Sequence, residues 1–187
     1  MSTAGHLFVG AAAGRGALPP KSGAKGLVFV LVLMAIAVLP DIDLHLLPAL
    51  GVPDSLTLGH RGATHSLVAA LSISLLVAVL FRALGLSMRS AAIAAFLAIG
   101  SHAVLDSLSG GPGVAWLWPF TDARFPTVRI LPMSSFNDNL LSFRGLTVLM
   151  AEVVIFSPFL AYAVFARRRS APKSAMASIE DGDGRPA

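Results

Sequence analysis

The chain has 187 residues, 55% of them hydrophobic and only 13% charged, with a mean hydropathy of +0.76. A soluble domain is about 25% charged, so this composition points to a bilayer. There is no cysteine, which excludes disulfides, Cys-type zinc sites and a thiol nucleophile and leaves histidine and carboxylate as the only metal ligands.

The apolar runs follow in chain order. Residues 4–14 (AGHLFVGAAAG) form a short one carrying His6. Gly26 to Pro40 is the first long run, and Asp41 and Asp43 follow it directly in LPDIDLH. The second, Ser66 to Phe81, grows out of GHRGATHSL (59–67) and reaches 20 residues if Gly62 to Ser66 joins it. Ser90 to Leu105, rich in small residues suited to close helix packing, contains His102. Gly145 to Ala166 is the longest, interrupted by Glu152 and Pro158 and closed by Arg167-Arg168-Arg169. A straight span needs roughly 20 apolar residues. The first three runs fall short of that, and each meets Asp or His at one end, as expected of helices that finish in a polar pocket at the membrane boundary. No internal repeat is visible. The predicted fold class is therefore all-α: a polytopic membrane helical bundle with four long spans plus a short N-terminal membrane-embedded helix. Residues 1–169 form the membrane-embedded domain, and 170–187, rich in Ser, Ala, Pro and Gly, read as a disordered cytoplasmic tail.

The basic residues set an orientation. Net charge +4 and a pI near 10.3 would suit nucleic acid, but Lys21, Lys25, Arg82, Arg89, the arginine triplet and Lys173 all flank apolar runs. That is the placement of topology-setting charges, and no nucleic-acid partner is expected. With Arg15, Lys21 and Lys25, the 82–89 turn and the C-terminus in the cytoplasm, the spans alternate without conflict. The 41–65 and 106–144 loops then face outward. A cleaved signal peptide is not expected, because the first long run ends in Pro-Asp without a small-residue cleavage site.

Under that topology all five histidines, His6, His45, His60, His65 and His102, lie near the outward ends of helices, together with Asp41, Asp43 and Asp106. Asp106 follows His102 by four residues, which stacks the two side chains on one helix face with Cβ atoms about 6 Å apart. Singly, each has a bland reading as a cap or a solvated interfacial residue. Ionisable residues at a membrane edge are costly, however, and usually paired. One metal cluster accounts for them together, and neutral imidazole with carboxylate oxygen suits zinc, with manganese or iron as alternatives.

The ordered elements GHLFVG, LPDIDLH, GHRGATHSL and GSHAVLDSLSGGPGVAWLWPF, followed by ARF, resemble the YdjM-like family of predicted membrane-bound metal-dependent hydrolases over residues 4–130. That family is distantly similar to the zinc-dependent phospholipase C and P1 nuclease group. The resemblance implies divalent ions, zinc foremost, held by His6, Asp41, His60, His65, His102 and Asp106, with Asp43 in the first or second shell. Family members often read PDIDH; here Leu44 intervenes, so His45 is not carried into the ligand set.

The expected activity is hydrolysis of a lipid-linked phosphoester at the outer face of a bacterial cytoplasmic (inner) membrane. Bound ions would lower the pKa of water and clamp a phosphoryl oxygen. Asp41 or Asp43 would accept the proton, and Arg61 would pair with phosphate or anchor in the headgroups. Thr64 and Ser66 are expected to cap the next helix, and Gly59 and Gly62 to let the backbone turn tightly. In the 109–130 stretch, Trp116 and Trp118 read as aromatic belt, and Arg124 as an anchor or a headgroup ligand. Glu152 must be protonated, paired or in a polar cavity. The competing reading is a non-enzymatic divalent-metal-binding or transport protein, and a weaker one is b-type haem held by two histidines. The oligomeric state is left open.

Overall fold

A computed structural model describes residues 3–18, 22–51, 59–132 and 142–166. The tail expected to be disordered, and the arginine triplet, lie outside the described residues. The described residues form six α-helices: α1 (Thr3–Ala17), α2 (Gly23–Val38), α3 (Asp43–Ala49), α4 (Leu67–Ala83), α5 (Met88–Leu108) and α6 (Phe143–Phe165). Two short 3₁₀ turns, Leu39–Ile42 and Ala63–His65, join α2 to α3 and precede α4. Among the described residues there is no strand beyond two isolated bridges, Ser109 with Arg129 and Val114 with Phe125.

The all-helical expectation holds, and among the described residues three segments are long and apolar enough to cross a membrane: Gly23–Ile42, Met88–Leu108 and Phe143–Phe165, of 20, 21 and 23 residues. The count of four long spans is not reproduced. Helix α4 has only 17 residues, about 26 Å at 1.5 Å per residue against a hydrocarbon core of about 30 Å. It does not extend back to Gly62, because Ser66 is extended (ψ 158°) and its hydroxyl accepts a hydrogen bond from the Ala69 N–H at 3.1 Å. This is an N-cap, and it fixes the helix start.

The core lies between α2, α4 and α5. Phe29, Leu33, Ile36 and Ala37 meet Val77, Ala78 and Phe81 across a stripe of Ala91, Ala94, Ala95 and Ala98. That alanine spacing puts methyl groups alone on one face of α5, so the neighbouring helices approach closely. Helix α1 packs on α2 by the same means. A Cβ at Gly10 would lie 2.7 Å from the Leu33 carbonyl oxygen, and one at Gly14 would lie 3.0 Å from the Val30 Cα. Large side chains instead face outward: Leu71, Leu75, Leu76 and Leu80 of α4 and Val154 and Tyr162 of α6 are all exposed. Alanine and glycine at the helix contacts, with leucines ranged on the outside, is the arrangement a lipid solvent favours.

Candidate metal centre

The polar residues gather where α2 and α5 end and α1 and α4 begin. His102, buried in α5, has Nδ1 2.7 Å from the Ala37 carbonyl oxygen. A carbonyl only accepts, so Nδ1 carries a proton and Nε2 is the lone-pair nitrogen of the neutral ring. That Nε2 faces Asp41 Oδ1 at 3.2 Å and Asp106 Oδ2 at 3.8 Å. His65, in the turn before α4, brings its Nε2 to 3.5 Å from Asp106 Oδ2 and 3.8 Å from Asp41 Oδ1. One donor atom from each of Asp41, His65, His102 and Asp106 lies within 4.8 Å of the others. His6 completes the cluster from α1: its ring stacks on His102 with centroids 3.8 Å apart, and its Nε2 is 3.8 Å from Asp106 Oδ1.

A second group adjoins the first through His65. His60 Nδ1 is 2.9 Å from Asp43 Oδ1, the Thr64 hydroxyl donates to Asp43 Oδ2 at 2.6 Å, and His65 Nδ1 is 3.4 Å from the same oxygen. Burial alone would raise the Asp43 carboxyl; the hydrogen bonds of His60 and His65, the attraction of His65 and the Thr64 hydroxyl hold it well below the usual carboxylate range. Burial likewise acts to lower His65, but the carboxylates of Asp106 and Asp43 outweigh it and raise the imidazole.

These residues fit a divalent ion. Tetrahedral bonds of about 2.0–2.1 Å put neighbouring donors about 3.3 Å apart, close to the 3.2, 3.5 and 3.8 Å separations found here. Both ring nitrogens of His6, and Nε2 of His65, are buried without a hydrogen-bond partner among the described residues. Buried polar atoms left so are costly and call for a ligand. The rings of His6, His60, His65 and His102 lie 3.8 to 5.4 Å apart in successive pairs, too crowded to admit a haem plane.

Arg61, expected to pair with phosphate or to anchor in the headgroups, has its Nε 3.1 Å from Asp106 Oδ2 while Nη1 donates to the Gly110 and Pro112 carbonyls and Nη2 to Ser109 Oγ. Arg124, expected in the headgroups, donates to the carbonyls of His60 and Gly113. Both arginines bind the 109–130 segment down over the site. The Ala115 N–H donating to the Arg61 carbonyl and the Leu67 N–H donating to the Trp116 carbonyl complete the seam.

Local details also differ from expectation. Thr64 serves Asp43 rather than capping α4. The left-handed residue of the 59–66 loop is not a glycine but Arg61, at φ 64°. Glu152, fully buried in α6, accepts a hydrogen bond from the Gly5 N–H at 3.4 Å, one of the unsatisfied donors that open α1. The His45 side chain lies outside the described residues. Sequence reading missed the Ala37 carbonyl, since a backbone acceptor leaves no signal in residue type.

A helical membrane bundle with a buried His/Asp cluster at one end is the class of protein that these features define. The family model of the YdjM inner membrane protein matches residues 1–171, and the chain belongs to that family. Inner membrane protein YbcI of Escherichia coli (strain K12) is 37% identical over 124 residues, covering 64% of this chain. The match spans 65% of the length of that relative. No solved structure matches the chain.

Proposed function

We propose that this protein is a membrane-bound metal-dependent hydrolase acting on a lipid-linked phosphoester at the outer face of the membrane. The observation that carries the reading is the set of facing donors on Asp41, His65, His102 and Asp106, buried except for Asp41. His6 and His60 flank it as further ligands. A divalent ion, zinc by donor chemistry, lowers the pKa of bound water and polarises a phosphoryl oxygen when present. Asp41, with 27% of its side chain exposed, is the most open of the four and is the group that meets incoming water and takes its proton. Arg61 holds Asp106 in place rather than gripping substrate. In support of the outward orientation, Arg15, Lys25, Arg82 and Arg89 belong to the opposite helix ends and read as cytoplasmic by the positive-inside rule.

A second reading, a metal-binding membrane protein without hydrolytic activity, is favoured by one observation. Arg61 and Arg124, the cations nearest the cluster in the described residues, are both engaged with the protein itself. Metal analysis of detergent-purified wild type beside His65→Ala and Asp106→Ala tests the site: at least one zinc or manganese per chain is expected, lost in both variants. Turnover of phospholipids and polyprenyl phosphates by the loaded protein then supports the hydrolase, and full loading without turnover supports the binder. A reporter fused at Ala187 is expected to be active only in the cytoplasm.

A further inference from the structure

Asp43 stands beside the four-donor set, and all its contacts run to groups that carry hydrogen. Its Oδ1 lies 2.9 Å from His60 Nδ1; its Oδ2 takes the Thr64 hydroxyl at 2.6 Å. The Thr64 oxygen is itself 2.9 Å from His65 Nδ1. A hydroxyl has one proton. With that proton given to the carboxylate, the Thr64 oxygen can only accept, so His65 Nδ1 must be the donor. The direction runs His65 Nδ1–H to Thr64 Oγ1–H to Asp43 Oδ2, while His60 Nδ1–H donates to Oδ1. Burial favours it, because the Asp43 and His65 side chains are both 0% exposed and their polar atoms find their partners within the protein.

We infer that Asp43 is a positioning residue, not a ligand or the proton acceptor: it fixes His60 and His65 in the Nδ1–H tautomer and so presents their Nε2 lone pairs for metal binding. For His65 that lone pair is the nitrogen facing Asp41 and Asp106. The closeness of Asp43, His60 and His65 is then a hydrogen-bonded triad, although their donor atoms lie within 4.8 Å of one another. The inference rests on the metal reading for its purpose but not for its test. Carboxylate-to-imidazole bonds of this kind orient metal-bound histidine, and their loss costs about 10–100-fold in affinity.

Long-range nitrogen–proton correlation spectra of histidine-labelled, metal-free protein in alkaline detergent solution read the tautomers directly. Wild type is expected to show both neutral rings as Nδ1–H, and either ring as Nε2–H overturns the inference without any variant. In Asp43→Asn the amide offers one acceptor oxygen and one donor nitrogen. At least one of the two rings is then expected to switch to Nε2–H, and zinc affinity to fall about 10–100-fold. Both rings unchanged in Asp43→Asn would overturn it. A wild type that shows the expected tautomers yet binds no metal leaves the assignment standing and removes the metal reading instead.

Discussion

Arg61 is the residue whose conformation and contacts conflict most. A left-handed backbone costs a non-glycine residue roughly 1–2 kcal/mol, yet Arg61 adopts φ 64° between His60 and Gly62. The return is a buried guanidinium that touches Asp106 and the 109–112 backbone at once. Breaking such a buried pair costs about 3–5 kcal/mol, so Arg61→Ala is expected to melt well below wild type. Arg61→Gly should recover roughly 1–2 kcal/mol of that loss by relieving the backbone; thermal melts that rank the two variants the other way would contradict this account. The His65–Asp43 pair yields a pH expectation. Asp43 is depressed on folding, so its contribution is present above about pH 3.9 and lost as the pH falls. His65 is raised, so its contribution is present below about pH 6.5 and lost as the pH rises through its folded value. Melting of the metal-free protein should therefore be highest between those limits, and a steady gain into alkaline solution would be incompatible. At this scale the sequence showed which residues gather in the buried cluster, because charge in an apolar chain is conspicuous. It could not separate Asp41 from Asp43, two residues apart in LPDIDLH, since a turn of backbone decides which faces the cluster.

At the scale of elements, α1 is the piece that glycine makes possible. His6 reaches His102 only because Gly10 and Gly14 let α1 lie against the α2 backbone. In Gly10→Ala the new methyl would meet the Leu33 carbonyl oxygen at 2.7 Å and the Ala37 Cβ at 2.8 Å, neither of which is a flexible side-chain end. Overpacking of this kind costs about 1–3 kcal/mol. Ala37 also holds the His102 ring through its carbonyl, so lowered zinc affinity is expected along with lower melting; unchanged melting would show that α1 is not seated here. The G-x-x-x-G spacing stands in plain view in GAAAG, but its partner helix does not. The start of α4 was left open in the sequence: Gly62 to Ser66 could join the apolar run by length, and only the Ser66 cap shows that the helix begins at Leu67.

For the whole molecule, the distribution of side chains is that of a protein folded in lipid. Leu27 and Leu31 of α2, Leu71, Leu75 and Leu80 of α4 and Val154 and Val164 of α6 face outward, while His6, His65, His102, Asp106 and Glu152 are almost completely enclosed. Composition alone determined the solvent, because so few charges cannot cover a water-exposed surface, and the absence of cysteine left histidine and carboxylate as the candidate donors. Spacing within single helices determined one pair, His102 and Asp106, since four residues make one turn. Everything that joins distant segments was decided by tertiary structure: His6 against His102, Asp43 between His60 and His65, and Arg61 under the 109–112 backbone. Those contacts depend on how closely helices approach and which way a loop turns. Both are set by many small packing terms at once, so no local stretch of sequence carries them.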